Sequence, residues 1–228
     1  MILKNLLPLR LKKFIKNVPL RFKSKKEIFN QYYRENKWGD QESRSGTGSN
    51  LDQTTSLRQS LPKLIHNYNI SSLLDIPCGD YNWFKEIDFK QQLTYCGGDI
   101  VEELVQKNNK LYSTENIIFK NLDITKDKLP ASDLILVRDC FVHLSFNDIH
   151  KAIVLIKESH SKYLLTTHFY KVMKNHNIPS GSFRKLNLTI EPFNFPDPIM
   201  IIDENCTEDE GKHIDKTMAL WNINDLIE

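Results

Sequence analysis

The sequence predicts an α/β fold built on a mostly parallel sheet, and two patterns lead to that prediction. From Ser71 onward, short apolar runs alternate with longer polar segments, as in chains that pass repeatedly between strands and helices. In addition, three aspartates follow three successive apolar runs at a spacing of 24 residues: Asp75, Asp99 and Asp123. With 228 residues, of which 40% are hydrophobic and 26% charged, the composition is that of an ordinary globular protein.

The individual elements follow from the apolar runs. Parallel strands are predicted at residues 72–76, 93–97, 117–119, 133–137 and 163–167, and helices at residues 83–87, 101–110 and 147–158. Two later apolar runs, residues 199–202 and 218–223, are expected to form an antiparallel hairpin. Ahead of the sheet, residues 26–38 and 51–68 are expected to be helical and to flank a small-residue loop, SRSGTGSN at 43–50.

These elements suggest three parts: a basic arm at residues 1–26, a helical cap with the Ser/Gly loop at 27–70, and the main domain at 71–228. The segment 168–198 has little periodicity, and a loop of that length in a compact domain is usually a lid or part of a binding pocket. The sequence does not predict an oligomeric state.

The charge of the chain is divided unevenly. Residues 1–26 contain nine of the 31 Lys and Arg residues and no Asp or Glu, which leaves 22 basic against 29 acidic residues in the remainder. Because the rest is acidic, we expect no broad binding to nucleic acid. The arm lacks a signal-peptide core, so a cytoplasmic location is expected. Three interpretations of it stay open: a solvated or self-packing segment, peripheral contact with an anionic membrane, and an organellar transit peptide.

The three aspartates are expected to meet at the carboxyl edge of the sheet, where ligands bind in open parallel sheets. Gly79, four residues after Asp75, permits close approach of the backbone to a ligand. Asp99 is placed to accept hydrogen bonds from both hydroxyls of a ribose. Asp123 is placed to accept a hydrogen bond from the exocyclic amine of an adenine.

Four segments resemble successive motifs of class I S-adenosylmethionine-dependent methyltransferases: LLDIPCGDYNWF, YCGGDIVEELV, NLDIT and DLILVRDCFVHL. The match covers residues 71–169. It implies a Rossmann-like three-layer sandwich with a seven-stranded sheet and a terminal antiparallel hairpin, and S-adenosylmethionine as cofactor. The implied cofactor residues are Asp75, Pro77, Cys78, Gly79, Asp99, Ile100, Asp123 and Ile124; Arg138 is added as a partner of either the cofactor carboxylate or Asp139.

The first motif departs from the family in one respect. The usual three-glycine loop is represented by Pro77, Gly79 and Tyr81, so only the middle glycine is present. This argues against a nicotinamide dehydrogenase, where the glycines let helix N–H groups bind a pyrophosphate. S-adenosylmethionine has no phosphate, so the loss is tolerable for that cofactor.

Transfer of a methyl group to a hydroxyl needs a base that removes the proton. The candidates after the fourth and fifth strands are Asp139, His143 and His168, although His143 alternatively caps a turn beneath the sheet. The acceptor pocket is predicted at residues 181–198, with Arg184, Asn187 and Phe193 as binding residues; a surface wrap is the alternative. The Ser/Gly loop either closes over the cofactor or is a flexible linker.

The acceptor is predicted to be a small molecule or a glycan, methylated on a hydroxyl oxygen. An amino-methyltransferase acting on nucleic acid would carry Asn or Asp followed by Pro-Pro and an aromatic residue after the fourth strand, where this chain has RDCF. Two alternatives remain: an RNA or protein methyltransferase that docks through the basic arm, and a non-catalytic nucleoside-binding module. No metal site is predicted.

Overall fold

Seven strands form one sheet at the centre of the protein. The computed structural model describes residues 19–90 and 92–226. The strands are β1 Ser72–Asp75, β2 Thr94–Asp99, β3 Ile117–Asn121, β4 Leu134–Val137, β5 Tyr163–Phe169, β6 Met200–Asp203 and β7 Lys216–Asn222. Their order is β3-β2-β1-β4-β5-β7-β6, with β1 to β5 parallel and β7 antiparallel to both β5 and β6. The predicted mostly parallel seven-stranded sheet with a terminal antiparallel hairpin is confirmed.

Four α-helices of ten or more residues flank the sheet within the described residues: α1 Lys25–Arg34, α2 Thr55–Asn67, α3 Glu102–Tyr112 and α4 Phe146–Glu158; a single short turn, Glu208–Gly211, lies between β6 and β7. The start of α1 is fixed by a capping box between Ser24 and Glu27. The start of α4 is fixed by Ser145, whose hydroxyl accepts the backbone N–H of Asp148. These side chains satisfy N–H groups that have no partner within the helix.

The segment predicted as a helix at residues 83–87 is a 3₁₀ turn, Phe84–Glu86. Its aromatic side chains explain the difference, because the rings of Tyr81 and Phe84 pack on Tyr95 with centroid distances of 5.0 and 4.6 Å. These rings bury the connection between β1 and β2 directly against the sheet. A regular helix is therefore not needed to cover this area.

Side chains alternate between two apolar layers along each central strand, as the two-residue period of a strand requires. In β4, Ile135 and Val137 face one layer, which includes α4, whereas Leu134 and Leu136 face the other, which includes α2. Because both faces are covered, the central strands consist largely of apolar residues.

The predicted basic arm lies mostly outside the described residues, which begin at residue 19, so its proposed membrane contact and transit function stay predictions. The described cap consists of α1, the Ser/Gly loop and α2. In the described part of the chain, no helix combines the length and the hydrophobicity needed to cross a membrane.

Asp133 joins the amino ends of three strands, and we expect its charge to stabilise the sheet. It accepts the backbone N–H groups of Ser71 and Ser72 at 2.9 and 3.1 Å and binds Lys162 Nζ at 2.5 Å. Although partial burial opposes ionisation, hydrogen bonds from Lys162 and Ser71 hold the pKa of Asp133 well below its usual 3.8. This contribution is therefore complete above about pH 4 and is lost at lower pH.

We expect Asp133→Asn to lower the free energy of unfolding by about 1 kcal/mol at pH 7 and by less at pH 3. Urea unfolding at the two pH values measures the difference, and Asp88→Asn, a change of an exposed aspartate, is the control. An equal loss at both pH values would contradict a role for the charge.

Candidate functional site

A cavity of about 1100 Å³ opens at the carboxyl ends of β1, β2 and β4 and extends beneath the cap. It lies where an open parallel sheet binds its ligands. All nine residues predicted to hold a cofactor line this cavity: Asp75, Pro77, Cys78, Gly79, Asp99, Ile100, Asp123, Ile124 and Arg138.

Asp75 ends β1 and is buried, with its Oδ2 accepting a hydrogen bond of 2.8 Å from the Tyr95 hydroxyl. Burial raises the pKa of Asp75 to about 7, and the hydrogen bond from Tyr95 opposes that rise only in part. A carboxylate here is costly unless a positive group compensates it. The end of β1 is therefore prepared for a cationic group.

Asp99 ends β2 and joins two backbone segments that line the cavity. Its Oδ2 accepts the Gly79 N–H at 3.2 Å and its Oδ1 accepts the Val101 N–H at 2.9 Å. Burial raises the pKa of Asp99 to about 6 despite these bonds. Each carboxylate oxygen has a second lone pair, so Asp99 can still accept hydroxyls.

The Ser/Gly loop, residues 43–50, is docked on the turn after β1. Asp80 accepts hydrogen bonds from the Ser43 hydroxyl, the Arg44 N–H and the Ser45 hydroxyl at 3.0, 2.8 and 3.1 Å. A Cβ on Gly79, whose φ is +54°, would overlap Ser45 Oγ. Gly79 therefore makes room for this loop as well as for a ligand, and the flexible-linker interpretation does not fit these contacts.

Asp123 follows β3 and folds back on its own turn. Its Oδ1 accepts both the N–H and the hydroxyl of Thr125, at 2.9 and 2.7 Å. Leu122 and Ile124 line the cavity on either side of it. This arrangement combines an acceptor with two apolar side chains, as a purine ring requires.

Buried charges at the end of β4 form a network with the hairpin. Lys216 Nζ lies 2.6 Å from Asp139 Oδ2 and 3.2 Å from Glu204 Oε2, and Arg138 Nε donates to Glu204 Oε1 at 2.6 Å. Although burial opposes ionisation, Lys216 and Arg138 hold the pKa of Asp139 well below its usual range. Asp139 lines the cavity but is poorly suited to act as a base near neutral pH.

The sequence did not point to Glu204 or Lys216, because nothing in the local pattern of the hairpin indicates that its charges reach β4. Arg138 Nη2 is buried and has no hydrogen-bond partner among the described residues. In the same part of the chain, no group of three His, Cys, Asp or Glu side chains is arranged to hold a metal ion.

His143 lines the cavity and is held in one orientation. Its Nδ1 lies 2.9 Å from the carbonyl oxygen of Ser182, which only accepts hydrogen bonds, so the proton is on Nδ1 and Nε2 carries a lone pair. Burial lowers the pKa of the imidazole from 6.5, which keeps it neutral at pH 7. A neutral imidazole with an oriented lone pair is able to accept a proton.

Six rings follow one another along the cap side of the cavity, and we call them the aromatic band: Phe29, Tyr32, Trp38, His143, Phe183 and His213. Consecutive centroids are 5.4 to 6.3 Å apart. Such a wall favours a ring-bearing ligand. The local sequence of residues 26–38 does not indicate that Trp38 approaches His143, because this contact depends on the packing of α1.

His168 does not line the cavity, so its prediction as a base is corrected. Thr167, its neighbour in β5, accepts a hydrogen bond of 2.8 Å from the Asp139 N–H, and strand alternation turns His168 to the opposite face of the sheet. There His168 packs on Trp221 and its Nδ1 accepts the Leu188 N–H at 3.2 Å. Burial lowers the pKa of His168 to about 4.

The segment predicted as the acceptor pocket is divided between the cavity and the core. Arg184 lines the cavity, whereas Asn187 and Phe193 do not. Asn187 Nδ2 donates to the carbonyls of Val172 and Tyr170, and Phe193 packs in the apolar layer beside α4. Both therefore shape the wrap of this segment over the sheet, as the surface-wrap alternative expected.

No protein-family model and no curated protein matches the sequence. The fold is similar to that of the N-methyltransferase NodS from Bradyrhizobium japonicum WM9, solved with S-adenosyl-L-homocysteine, at 11% identity and a TM-score of 0.61 over 85% of this chain and 97% of that one. It is also similar to the 1,6-didemethyltoxoflavin-N1-methyltransferase of Burkholderia thailandensis, at 14% identity and a TM-score of 0.58 over 86% of each chain. That enzyme was solved with bound 1,6-didemethyltoxoflavin and S-adenosylhomocysteine.

The chain spans 42% of the length of human N-acetylserotonin methyltransferase, which was solved with SAM, at 16% identity and a TM-score of 0.46 over 64% of this chain. The two longer alignments cover nearly the whole of both chains. The protein therefore has the Rossmann-like fold of S-adenosylmethionine-dependent methyltransferases, as the sequence motifs led us to expect.

The raised pKa of Asp75 predicts a pH-dependent effect of Asp75→Asn on stability. Because the pKa is about 7 in the folded protein and 3.8 ordinarily, the folded state holds the extra proton between those values, and stability falls as pH rises through this window. Asn keeps an acceptor for Tyr95 but carries no charge.

We expect Asp75→Asn to raise the free energy of unfolding by about 2 kcal/mol at pH 8 and to have little effect at pH 4. Denaturant unfolding of the ligand-free protein measures both values, with Asp52→Asn, at an exposed position, as the control. A change of equal size at the two pH values would show that the Asp75 charge is not the cause.

Proposed function

We propose that this protein transfers the methyl group of S-adenosylmethionine to a hydroxyl oxygen of a ring-bearing small molecule or glycan, with His143 as the general base. One observation carries the proposal: a single cavity combines the buried strand-end acids Asp75 and Asp99 with an oriented neutral imidazole. The acids suit a cationic nucleoside cofactor, and the imidazole suits an acceptor that must lose a proton.

The residues present fit S-adenosylmethionine in charge. Asp75 is a buried acid that no lysine or arginine among the described residues binds in an ion pair, and it suits the positive charge of the cofactor. The buried, unpartnered Nη2 of Arg138 suits the cofactor's carboxylate. Asp99 would hold the ribose hydroxyls, and Asp123 with Ile124 would meet the adenine.

The cavity also has room for an acceptor. Its volume of about 1100 Å³ exceeds that of typical sites for one small ligand, about 300 to 1000 Å³. When bound, S-adenosylmethionine supplies a methyl group on a positively charged sulfur. The aromatic band would orient the acceptor ring, and the docked Ser/Gly loop and α1 would limit the access of water.

His143 is preferred as the base over the other two candidates. Its Nε2 lone pair is available at neutral pH because Nδ1–H is held by the Ser182 carbonyl. Asp139 is stabilised as a carboxylate by Lys216, which weakens it as a base, and His168 faces the opposite side of the sheet. The RNA or protein methyltransferase alternative depends on the basic arm, most of which lies outside the described residues.

Cofactor binding is tested by calorimetry with S-adenosylhomocysteine and with NADH. We expect S-adenosylhomocysteine to bind and NADH not to bind. We expect Asp99→Asn to weaken the binding of S-adenosylhomocysteine by about tenfold or more, because the substitution removes a charged hydrogen-bond acceptor. Asp52→Asn is the matched control and is expected to bind as the wild type does. Binding of NADH without binding of S-adenosylhomocysteine would overturn the proposed function.

The base is tested with His143→Asn, whose side-chain amide can still donate to the Ser182 carbonyl but has no basic nitrogen. We expect kcat to fall by about 100-fold or more with unchanged affinity for S-adenosylhomocysteine. Formation of S-adenosylhomocysteine is followed with a panel of phenols and monosaccharides, next to anilines of matched shape. His150→Asn, on the exposed surface of α4, is the control.

Because burial lowers the pKa of His143, the acidic limb of the kcat profile is expected below pH 6.5 at saturating S-adenosylmethionine. Methylation of the anilines alone, or wild-type kcat in His143→Asn, would contradict a hydroxyl acceptor activated by His143.

A further inference from the structure

Arg184 is a buried cation fixed beside the proposed base. It is 6% exposed and lines the cavity. Its Nη1 donates to the carbonyls of Phe141 and Val142 at 3.0 and 3.1 Å, and its backbone N–H donates to the Val142 carbonyl at 3.0 Å. The guanidinium is therefore held from one side by the chain that leads to His143.

The other edge of this guanidinium has no partner. Nε and Nη2 of Arg184 are both buried and make no hydrogen bond with the described residues. In an arginine side chain the N–H bonds of Nε and Nη2 point the same way, and together they form the side-on fork that binds the two oxygens of a carboxylate or phosphate. Both atoms are shielded from solvent in the ligand-free protein, so bulk water does not replace the missing acceptor, and an oxyanion reaches the fork only when the side chains that cover it move aside.

The other two buried cations of the site are compensated, unlike Arg184. Arg138 and Lys216 each contact carboxylates, Glu204 in both cases. No carboxylate of the described residues lies within ion-pair distance of Arg184, and its guanidinium meets only the two carbonyls and the Phe146 ring, 5.3 Å from the guanidinium carbon. Burial lowers the pKa of Arg184 to about 10, so it stays charged at neutral pH.

A buried, charged group without its counter-ion is costly, and sites of this kind are typically completed by a ligand. Acids dominate the strand ends where the cofactor is proposed to bind, at Asp75, Asp99 and Asp123. Arg184 is instead on the side of His143 and the aromatic band, where the acceptor is proposed to bind. An anion that completes Arg184 therefore belongs to the acceptor.

We propose that the acceptor carries an oxyanion, a carboxylate or a phosphate, and that Nε and Nη2 of Arg184 bind its two oxygens side-on. The inference rests on the proposed function, since it assigns the charge of the molecule that receives the methyl group. The ring of this molecule contacts the aromatic band, and its anion fixes which hydroxyl faces His143. Arg184 thus acts as a determinant of acceptor specificity.

The test uses the 228-residue chain saturated with S-adenosylhomocysteine and three probes: benzoate, phenyl phosphate and benzamide. Benzamide has the shape of benzoate without its charge. By calorimetry we expect at least one of the two anions to bind about tenfold or more tightly than benzamide. The ratio of the dissociation constants of benzoate and phenyl phosphate distinguishes a carboxylate site from a phosphate site. Equal binding of all three probes, or binding of neither anion, overturns the inference.

Arg184→Met is expected to abolish the preference for the anions, because it removes the fork and keeps an apolar stem against Phe146. Arg34→Met is the matched control, since Arg34 is exposed, pairs with Glu103 and does not line the cavity. Arg184→Lys keeps the charge without the fork and is expected to reduce the preference in part, so it serves as the second variant if Arg184→Met does not fold. A full preference in either variant overturns the inference.

Titrations without S-adenosylhomocysteine separate this inference from the proposed function. Anion preference that depends on Arg184, in a protein that does not bind S-adenosylhomocysteine, supports the anion site and overturns the methyltransferase proposal. Binding of S-adenosylhomocysteine without any anion preference overturns the anion site alone and assigns Arg184 the structural role of holding the Phe141 and Val142 carbonyls.

Discussion

Lys216 and the carboxylates around it tie the antiparallel hairpin to the parallel part of the sheet. Its ammonium group lies within 4 Å of Asp139, Glu204 and Glu208, and Glu204 also binds Arg138. Removal of one partner from such a buried set leaves an uncompensated charge, which is strongly destabilising. The network therefore fixes the end of β4, and with it the start of the segment that carries His143.

The same network divides the cavity by charge. Within the network Asp139 is paired with Lys216, so it has a structural role. Asp75 and Asp99 are the buried acids at the strand ends that the network does not include. On the other side, Arg184 lies beside the aromatic band, and no carboxylate of the described residues is within ion-pair distance of its guanidinium. His143 lies on this second side, in contact with Trp38 and Phe183. A cationic cofactor and an anionic ring-bearing acceptor would each meet the complementary half.

Local pattern was sufficient for most of the sheet. The runs around Leu74 and Ile135 are apolar because both faces of these strands are covered, and such runs are recognisable without tertiary information. The limits of β7 were less predictable, because it begins at Lys216, a polar residue that enters the strand through pairing with Phe169. The aromatic turn at Tyr81 was also missed, since its rings replace a helix only by packing on Tyr95.

By itself the sequence determined that three acids lie at successive strand ends: Asp75 and Asp99 are the last residues of β1 and β2, and Asp123 lies two residues beyond β3. Tertiary structure decided the rest of the site: strand alternation and the packing of distant segments turn His168 away from the cavity and join Lys216 to Asp139. Trp38 and Arg184 reach His143 from segments that are distant in the chain. The physical reason is that strand ends are set by local apolar pattern, whereas the chemistry between them depends on contacts that no short segment encodes.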